Sequence, residues 1–211
     1  MSDDATLEYI RKLFAAEDDV LAAVRQRHSA EGLPAVHISS DEGKLIAVLL
    51  RAVGARRVLE VGTLGGYSGI WIARALPDDG LLTTIERDPK HARVARQSFT
   101  DAGVADRVEL MEGDALEVMT QLAPGFDAVF LDADKEPLEA YYHEAMRLLR
   151  VGGLLLCDNA LWEGRVIDEH DDAEDVRGIR ACNSLAAGDP RLTATIITVR
   201  DGLLAGIKES G

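Results

Sequence analysis

Phe130-Leu-Asp-Ala-Asp-Lys135 is an apolar run that closes on two carboxylates and a lysine, and Leu156-Cys-Asp-Asn159 repeats the pattern with a carboxylate and an amide. Each reads as a buried strand that stops at polar residues, which puts those residues at the edge of a sheet. If the two strands are parallel neighbours, Asp132, Asp158 and Asn159 lie side by side at one carboxyl edge. The rest of the chain supports that arrangement. Residues 58–61 form a short apolar run, 62–66 a glycine-rich turn and 67–75 a helical stretch. Residues 81–85 are the next strand. Asp88-Pro89 supplies an N-cap and a first-turn proline for a helix that Gly103 stops. The alternation continues with strands over 108–111, 127–131 and 154–157, and helices over 116–122 and 137–149.

Strands separated by helices imply right-handed crossovers and a parallel sheet. The tail differs. Residues 173–187 look helical, residues 192–198 and 202–207 flank Val199-Arg-Asp-Gly202, and Asp201-Gly202 within it is a hairpin signal. The expectation is an α/β, Rossmann-like fold: a mostly parallel seven-stranded sheet with a C-terminal antiparallel hairpin and helices on both faces. Residues 4–31 carry helical periodicity, broken by Gly32 and Pro34, and Ser39-Ser-Asp-Glu42 is a capping-box pattern opening a helix through about Val53. With no repeat or linker, residues 1–211 read as one domain, with residues 1–35 as a helical N-terminal extension.

Composition narrows the function. Apolar residues make up 47% of the chain and charged ones 28%, ordinary for a globular protein. The net charge of −14 makes a broad nucleic-acid surface unexpected, because such surfaces need clustered Lys and Arg. No apolar run suits a membrane span, and Met-Ser-Asp-Asp at the start does not read as a signal peptide. Cys157 and Cys182 form no disulfide framework, and the chain reads as cytoplasmic.

The turn Glu60-Val-Gly-Thr-Leu-Gly-Gly-Tyr-Ser68 has G-x-x-G-G spacing, neither the dinucleotide fingerprint nor a Walker loop. It serves either as a ligand cradle or as a plain tight connection. Ser68 is placed either to hold a carboxylate at a helix start or to cap that helix. Glu86, after the second strand, is positioned to accept hydrogen bonds from ribose hydroxyls. Gly113-Asp114-Ala115 could flank an adenine, and Asp114 is an equally good N-cap. Asp132, Asp158 and Asn159 are hard oxygen ligands suited to Mg²⁺. Lys135, three residues after Asp132, is close enough to act as a base; an ordinary surface lysine is its plainer alternative, and for Asp132 a helix N-cap or an ion pair with Lys135. Trp162 could wall a flat substrate or simply pack. His28 and His170 lie in polar contexts, His91 on a helix surface, and His37 beside the site or in packing. Together these features read as an S-adenosylmethionine (SAM) site beside a divalent cation.

Leu59-Glu-Val-Gly-Thr-Leu-Gly-Gly-Tyr-Ser68, Phe130-Leu-Asp-Ala-Asp-Lys135 and Asp158-Asn-Ala-Leu-Trp-Glu-Gly-Arg-Val166 resemble the motifs of the cation-dependent O-methyltransferases, which include the caffeoyl-CoA and catechol enzymes. The resemblance runs from about residue 36 onward. It implies a class I SAM-binding fold and a homodimer. It maps Ile38 (through its backbone), Glu60, Gly62, Thr63, Ser68, Glu86, Ala115 and Asp132 to SAM. It maps Asp132, Asp158 and Asn159 to Mg²⁺ (or Mn²⁺ or Ca²⁺), and Lys135 with Asp132 to catalysis. The expected substrate is a vicinal-dihydroxy aromatic small molecule. A tRNA hydroxyuridine methyltransferase and a nonenzymatic SAM-binding protein are the alternatives. The first 35 residues and residues 163–175, with the acidic run Asp168-Glu-His-Asp-Asp172, match no assignable pattern.

Overall fold

The computed structural model describes residues 3–211; Met1 and Ser2, which open the Met-Ser-Asp-Asp start, lie outside the described residues. The elements follow in chain order: α1 (Asp3–Phe14), α2 (Asp19–Ala30), α3 (Ser40–Ala52), β1 (Arg57–Val61), α4 (Tyr67–Ala75), β2 (Leu81–Glu86) and α5 (Pro89–Asp101). Then come β3 (Val108–Glu112), α6 (Ala115–Gln121), β4 (Phe126–Leu131), α7 (Leu138–Leu148), β5 (Leu149–Cys157), α8 (Glu174–Gly188), β6 (Leu192–Ile197) and β7 (Leu203–Lys208).

The seven strands form one sheet in the order β3-β2-β1-β4-β5-β7-β6. The first five are parallel, and β7 runs antiparallel between β5 and β6. Side chains alternate across the sheet, so each strand serves two cores. Ala128, Phe130, Leu154 and Leu156 pack with α2 to α5 on one face. Val129, Leu131, Leu155 and Cys157 pack with α7 and α8 on the other. Near-continuous burial of β4 and β5 is the signature of parallel strands covered on both faces.

The strand order reverses direction between β1 and β4, and that is the place where open α/β sheets hold ligands. The chain closes tightly there. The Asp132 amide donates to Val61 O at 2.9 Å, and the Gly62 amide to Ile85 O at 3.1 Å. A Cβ on Gly62, whose φ is +100°, would stand 2.2 Å from the Asp132 carbonyl oxygen. The glycine is therefore needed to bring the β1 and β4 ends together.

Three local expectations change. The periodicity over 4–31 is two helices, because Asp18 breaks it by capping α2 through the Leu21 amide at 2.9 Å. The capping-box motif locates the start of α3, yet the Ser39 side chain caps no helical amide, and Glu42 is fully buried against the sheet edge. The hairpin connection spans residues 198–202 rather than a two-residue turn, with Arg200 and Gly202 both left-handed. Asp88, by contrast, caps α5 through its side chain as expected, with Pro89 in the first turn.

Candidate active site

A cavity of about 1070 Å³ opens at the carboxyl ends of β1, β2, β4 and β5. Gly62, Thr63, Ser68, Glu86 and Ala115 line one side, with Ile38 from the segment before α3. Asp132, Lys135, Asn159 and Trp162 line the other. Among the described residues, all five non-glycine residues with left-handed φ (Leu64, Asn159, Trp162, Glu163 and Arg200) lie on this cavity. Each such conformation costs on the order of 1 kcal/mol and persists only where its surroundings impose it, which is typical of ligand sites.

Two sequence-selected residues sit behind the wall. Glu60 is fully buried beneath the glycine turn. Its carboxylate accepts hydrogen bonds from Ser68 Oγ at 2.6 Å and Thr84 Oγ1 at 2.7 Å. Thr84 Oγ1 also meets Thr63 Oγ1 at 2.6 Å, so Glu60 braces both sides of the turn from below. Burial pushes its pKa up to about 7. The folded state thus keeps this proton to higher pH than the unfolded chain does. The associated stability is complete below about pH 4.5 and is lost as pH rises to about 7. Unfolding free energies at about pH 5 and about pH 8 should show a loss of roughly 3 kcal/mol in the wild type that Glu60→Gln does not share.

Glu86 is not on a loop, as the sequence suggested, but is the last residue of β2. Its carboxylate accepts the Leu64 amide at 2.7 Å and the Asp88 amide at 2.9 Å, and His91 Nδ1 lies 3.5 Å away. It therefore orders the glycine turn while facing the cavity. Glu86→Ala should weaken SAM binding by roughly 1–3 kcal/mol, the range for losing charge-assisted hydrogen bonds, and should lower the melting temperature as well. Unchanged affinity by calorimetry would remove Glu86 from the cofactor site. Asp114 caps α6 through the Leu116 and Glu117 amides, and Ala115 lines the cavity in that helix's first turn.

On the other side, Leu131 and Cys157 are register partners, and the Asp158 amide donates to Leu131 O at 3.0 Å. Asp132 and Asp158 therefore follow at adjacent strand ends. Asn159 turns away at φ +60° onto the cavity wall. Lys135 Nζ lies 3.4 Å from Asp132 Oδ1, with only 7% of the lysine exposed. Its backbone is fixed from behind, since a Cβ on Gly178 of α8 would stand 2.0 Å from Lys135 O. Burial opposes the Lys135 ammonium, but the Asp132 and Asp158 carboxylates outweigh it and hold its pKa above the ordinary lysine value. Burial, with Asp158 adding to it, raises Asp132 to about 7 despite the opposing lysine. Asp158 is buried just below the cavity surface, with Oδ1 accepting the Asn159 amide at 2.6 Å.

No group of three or more His, Cys, Asp or Glu among the described residues has the form of a metal site. The donor set here is two carboxylates and an amide, all oxygen donors. Crowded carboxylates held partly by cations are the chemistry a hard divalent ion satisfies, so Asp132, Asp158 and Asn159 fit such an ion.

The O-methyltransferase family model matches residues 12–208. The chain belongs to the O-methyltransferase family. It is 40% identical over 205 residues to the catechol O-methyltransferase of Niastella koreensis, covering 95% of this chain and 90% of the relative. Among solved structures it resembles the Bacillus cereus O-methyltransferase in complex with SAH, with a TM-score of 0.92, 38% identity and coverage of 97% of both chains. It also resembles TomG of Streptomyces achromogenes, involved in tomaymycin synthesis and crystallised with SAM, with a TM-score of 0.93, 36% identity and full coverage of both.

Around the cavity of this O-methyltransferase stand His28, His37, His91 and Trp162, which the sequence named, together with Glu17, Glu42 and Arg200, which it did not place at the site. His28 is buried against Gly65, contrary to its polar sequence context, and His37 sits 5.0 Å from the Tyr67 ring. His91, expected on a helix surface, lines the cavity. Tyr67 OH donates to Glu17 Oε1 at 2.6 Å, tying the segment between α1 and α2 to α4. Glu42 and Arg200 meet at Asp158. Burial, and then the neighbouring Asp158 carboxylate, push Glu42 up to about 9. A signal for Glu42 existed, an acid just inside a helix before the first strand, but it read as a cap. Trp162 lines the wall, with Nε1 donating to Asp175 Oδ2 at 2.8 Å.

Proposed function

We propose that this O-methyltransferase transfers a methyl group from SAM to one hydroxyl of a catechol-like aromatic small molecule, in a reaction that depends on Mg²⁺ (or Mn²⁺ or Ca²⁺). The observation that carries the reading is the meeting of Asp132, Lys135 and Asn159 on one cavity wall with Asp158 directly behind. The N. koreensis relative, named a catechol O-methyltransferase, supports the acceptor class, and TomG's bound SAM supports the donor. At about 1070 Å³ the cavity slightly exceeds a usual single-ligand pocket, enough for SAM and a small acceptor together.

Asp132, Asp158 and Asn159 would hold the cation. When bound, it supplies positive charge that acidifies a phenolic hydroxyl and offsets the carboxylates that otherwise keep Lys135 protonated. Lys135 Nζ then takes the hydroxyl proton. The oxygen forms its bond to the methyl carbon as the carbon–sulfur bond breaks, and the pair of electrons leaves with sulfur. Glu86, Ser68 and the glycine turn hold the donor, and Trp162 supplies a flat wall for the ring, so alignment provides much of the acceleration. A tRNA acceptor calls for a basic rim. Here Arg87 pairs with Asp134 at 2.9 Å, and Arg165 with Asp171 and Asp175 at 2.8 and 2.9 Å, which favours a small molecule.

The reading includes a cytoplasmic homodimer. The free, buried Cys157 and Cys182 support a reducing compartment, and the exposed Tyr9, Leu13 and Phe14 of α1 support a covered apolar face. No helix among the described residues is long and apolar enough to cross a membrane. Labelled SAM offered with a panel of catechols, monophenols and tRNA tests the acceptor. Transfer to catechols alone is expected, and transfer to tRNA alone would overturn the reading.

A further inference from the structure

Arg200 stands in the connection between β6 and β7 with φ +46°, a conformation that disfavours arginine. The connection is fastened to the segment that follows Asn159. Asp201 O accepts the Leu161 amide at 2.9 Å, Asp201 Oδ1 the Glu163 amide at 2.6 Å, and Gly202 O the Ala160 amide at 2.8 Å. These clamps hold the backbone in place, and the side chain reaches the acids from the cavity. Its Nη1 lies 3.3 Å from Asp158 Oδ2 and 3.6 Å from Glu42 Oε2. One nitrogen is shared between two carboxyls at long range, with none of the bidentate geometry of a strong arginine pair. The arginine side chain is 31% exposed, whereas those of Glu42 and Asp158 are at most 1%. Both Glu42 oxygens lack a hydrogen-bond partner among the described residues.

Three carboxyl groups, Asp132, Asp158 and Glu42, crowd together here, and Lys135 and Arg200 are the cations placed against them. Both line the cavity, but Lys135 is packed in, with 7% of its side chain exposed, whereas Arg200 is the more open of the two. A divalent ion beside Asp158 would face the guanidinium at close range, and like charges so placed repel.

We propose that Arg200 is the internal counter-cation of the Asp158–Glu42 pair and competes with the divalent ion, so that its side chain must swing off Asp158 for the ion to bind. The inference rests on the cation reading above. It makes Arg200 a positioning residue that sets ion affinity.

Calorimetric titration of Mg²⁺ into the SAM-loaded protein tests it without recourse to turnover. Arg200→Gln keeps the length and removes the charge, and should bind Mg²⁺ about tenfold more tightly than the wild type. Arg200→Lys keeps a cation and should stay near the wild type. Arg200→Gly, which suits the left-handed backbone, replaces the glutamine variant should that one fold poorly. Tight binding by the neutral variant when the wild type shows none would support the inference strongly. Equal or weaker binding by the neutral variant overturns the inference alone. No binding by any of the proteins overturns the cation reading and the inference with it.

Discussion

Replacing Lys135 with alanine is expected to lower kcat by about 10²–10⁴-fold, the usual contribution of a positioned general base, while leaving SAM affinity nearly unchanged. The lysine's backbone carbonyl packs against Gly178 and its buried ammonium lies 3.4 Å from Asp132, so its placement is fixed before substrate arrives. Without an ion it is an ammonium, held so by Asp132 and Asp158. Its basicity therefore belongs to the loaded site, and the defect should shrink on catechols whose hydroxyls are more acidic. Steady-state rates across catechols of graded acidity make the comparison. Wild-type turnover by Lys135→Ala on every acceptor would assign the proton to solvent instead.

Asp158→Ala should act on a different quantity. The residue donates nothing to substrate directly, being buried under Asn159. Removing it deletes one of two anionic ligands, so Mg²⁺ affinity should fall by about 10²-fold or more, above the 10–100-fold typical of residues that merely support a ligand. Stability should be largely kept, because the loss also removes a buried carboxylate that pushes Glu42 up and leaves Arg200 to face Glu42 alone. Calorimetry for the ion and thermal unfolding in chelator separate the two effects. A variant that binds Mg²⁺ like the wild type would take Asp158 out of the ion site.

The sheet was readable because its strands announce themselves. Apolar runs of parallel-strand length alternate with capped helices, and Asp88-Pro89 and Gly103 mark ends that the structure keeps. The residues at strand ends were readable for the same reason: register carries Asp132 and Asp158 to one edge once their strands pair. What stayed hidden depends on contacts far apart in sequence. Glu42 lies 116 residues before Asp158 and reads locally as a capping acid, whereas tertiary packing turns it inward. Arg200 sits beside a turn signal whose usual two-residue form the structure does not adopt, and its φ of +46° is imposed by clamps from residues 160–163. His28 was misread because its polar neighbours lie on the outer face of α2 while the imidazole faces Gly65.

The central claim is that transfer runs on a divalent ion held by Asp132, Asp158 and Asn159. It is tested most directly by following methyl transfer from labelled SAM to a catechol in excess chelator and again after Mg²⁺ is restored, with SAM binding measured in parallel. The account predicts that transfer stops in chelator and returns with Mg²⁺, while SAM binding largely persists in both. Full transfer in chelator would contradict it.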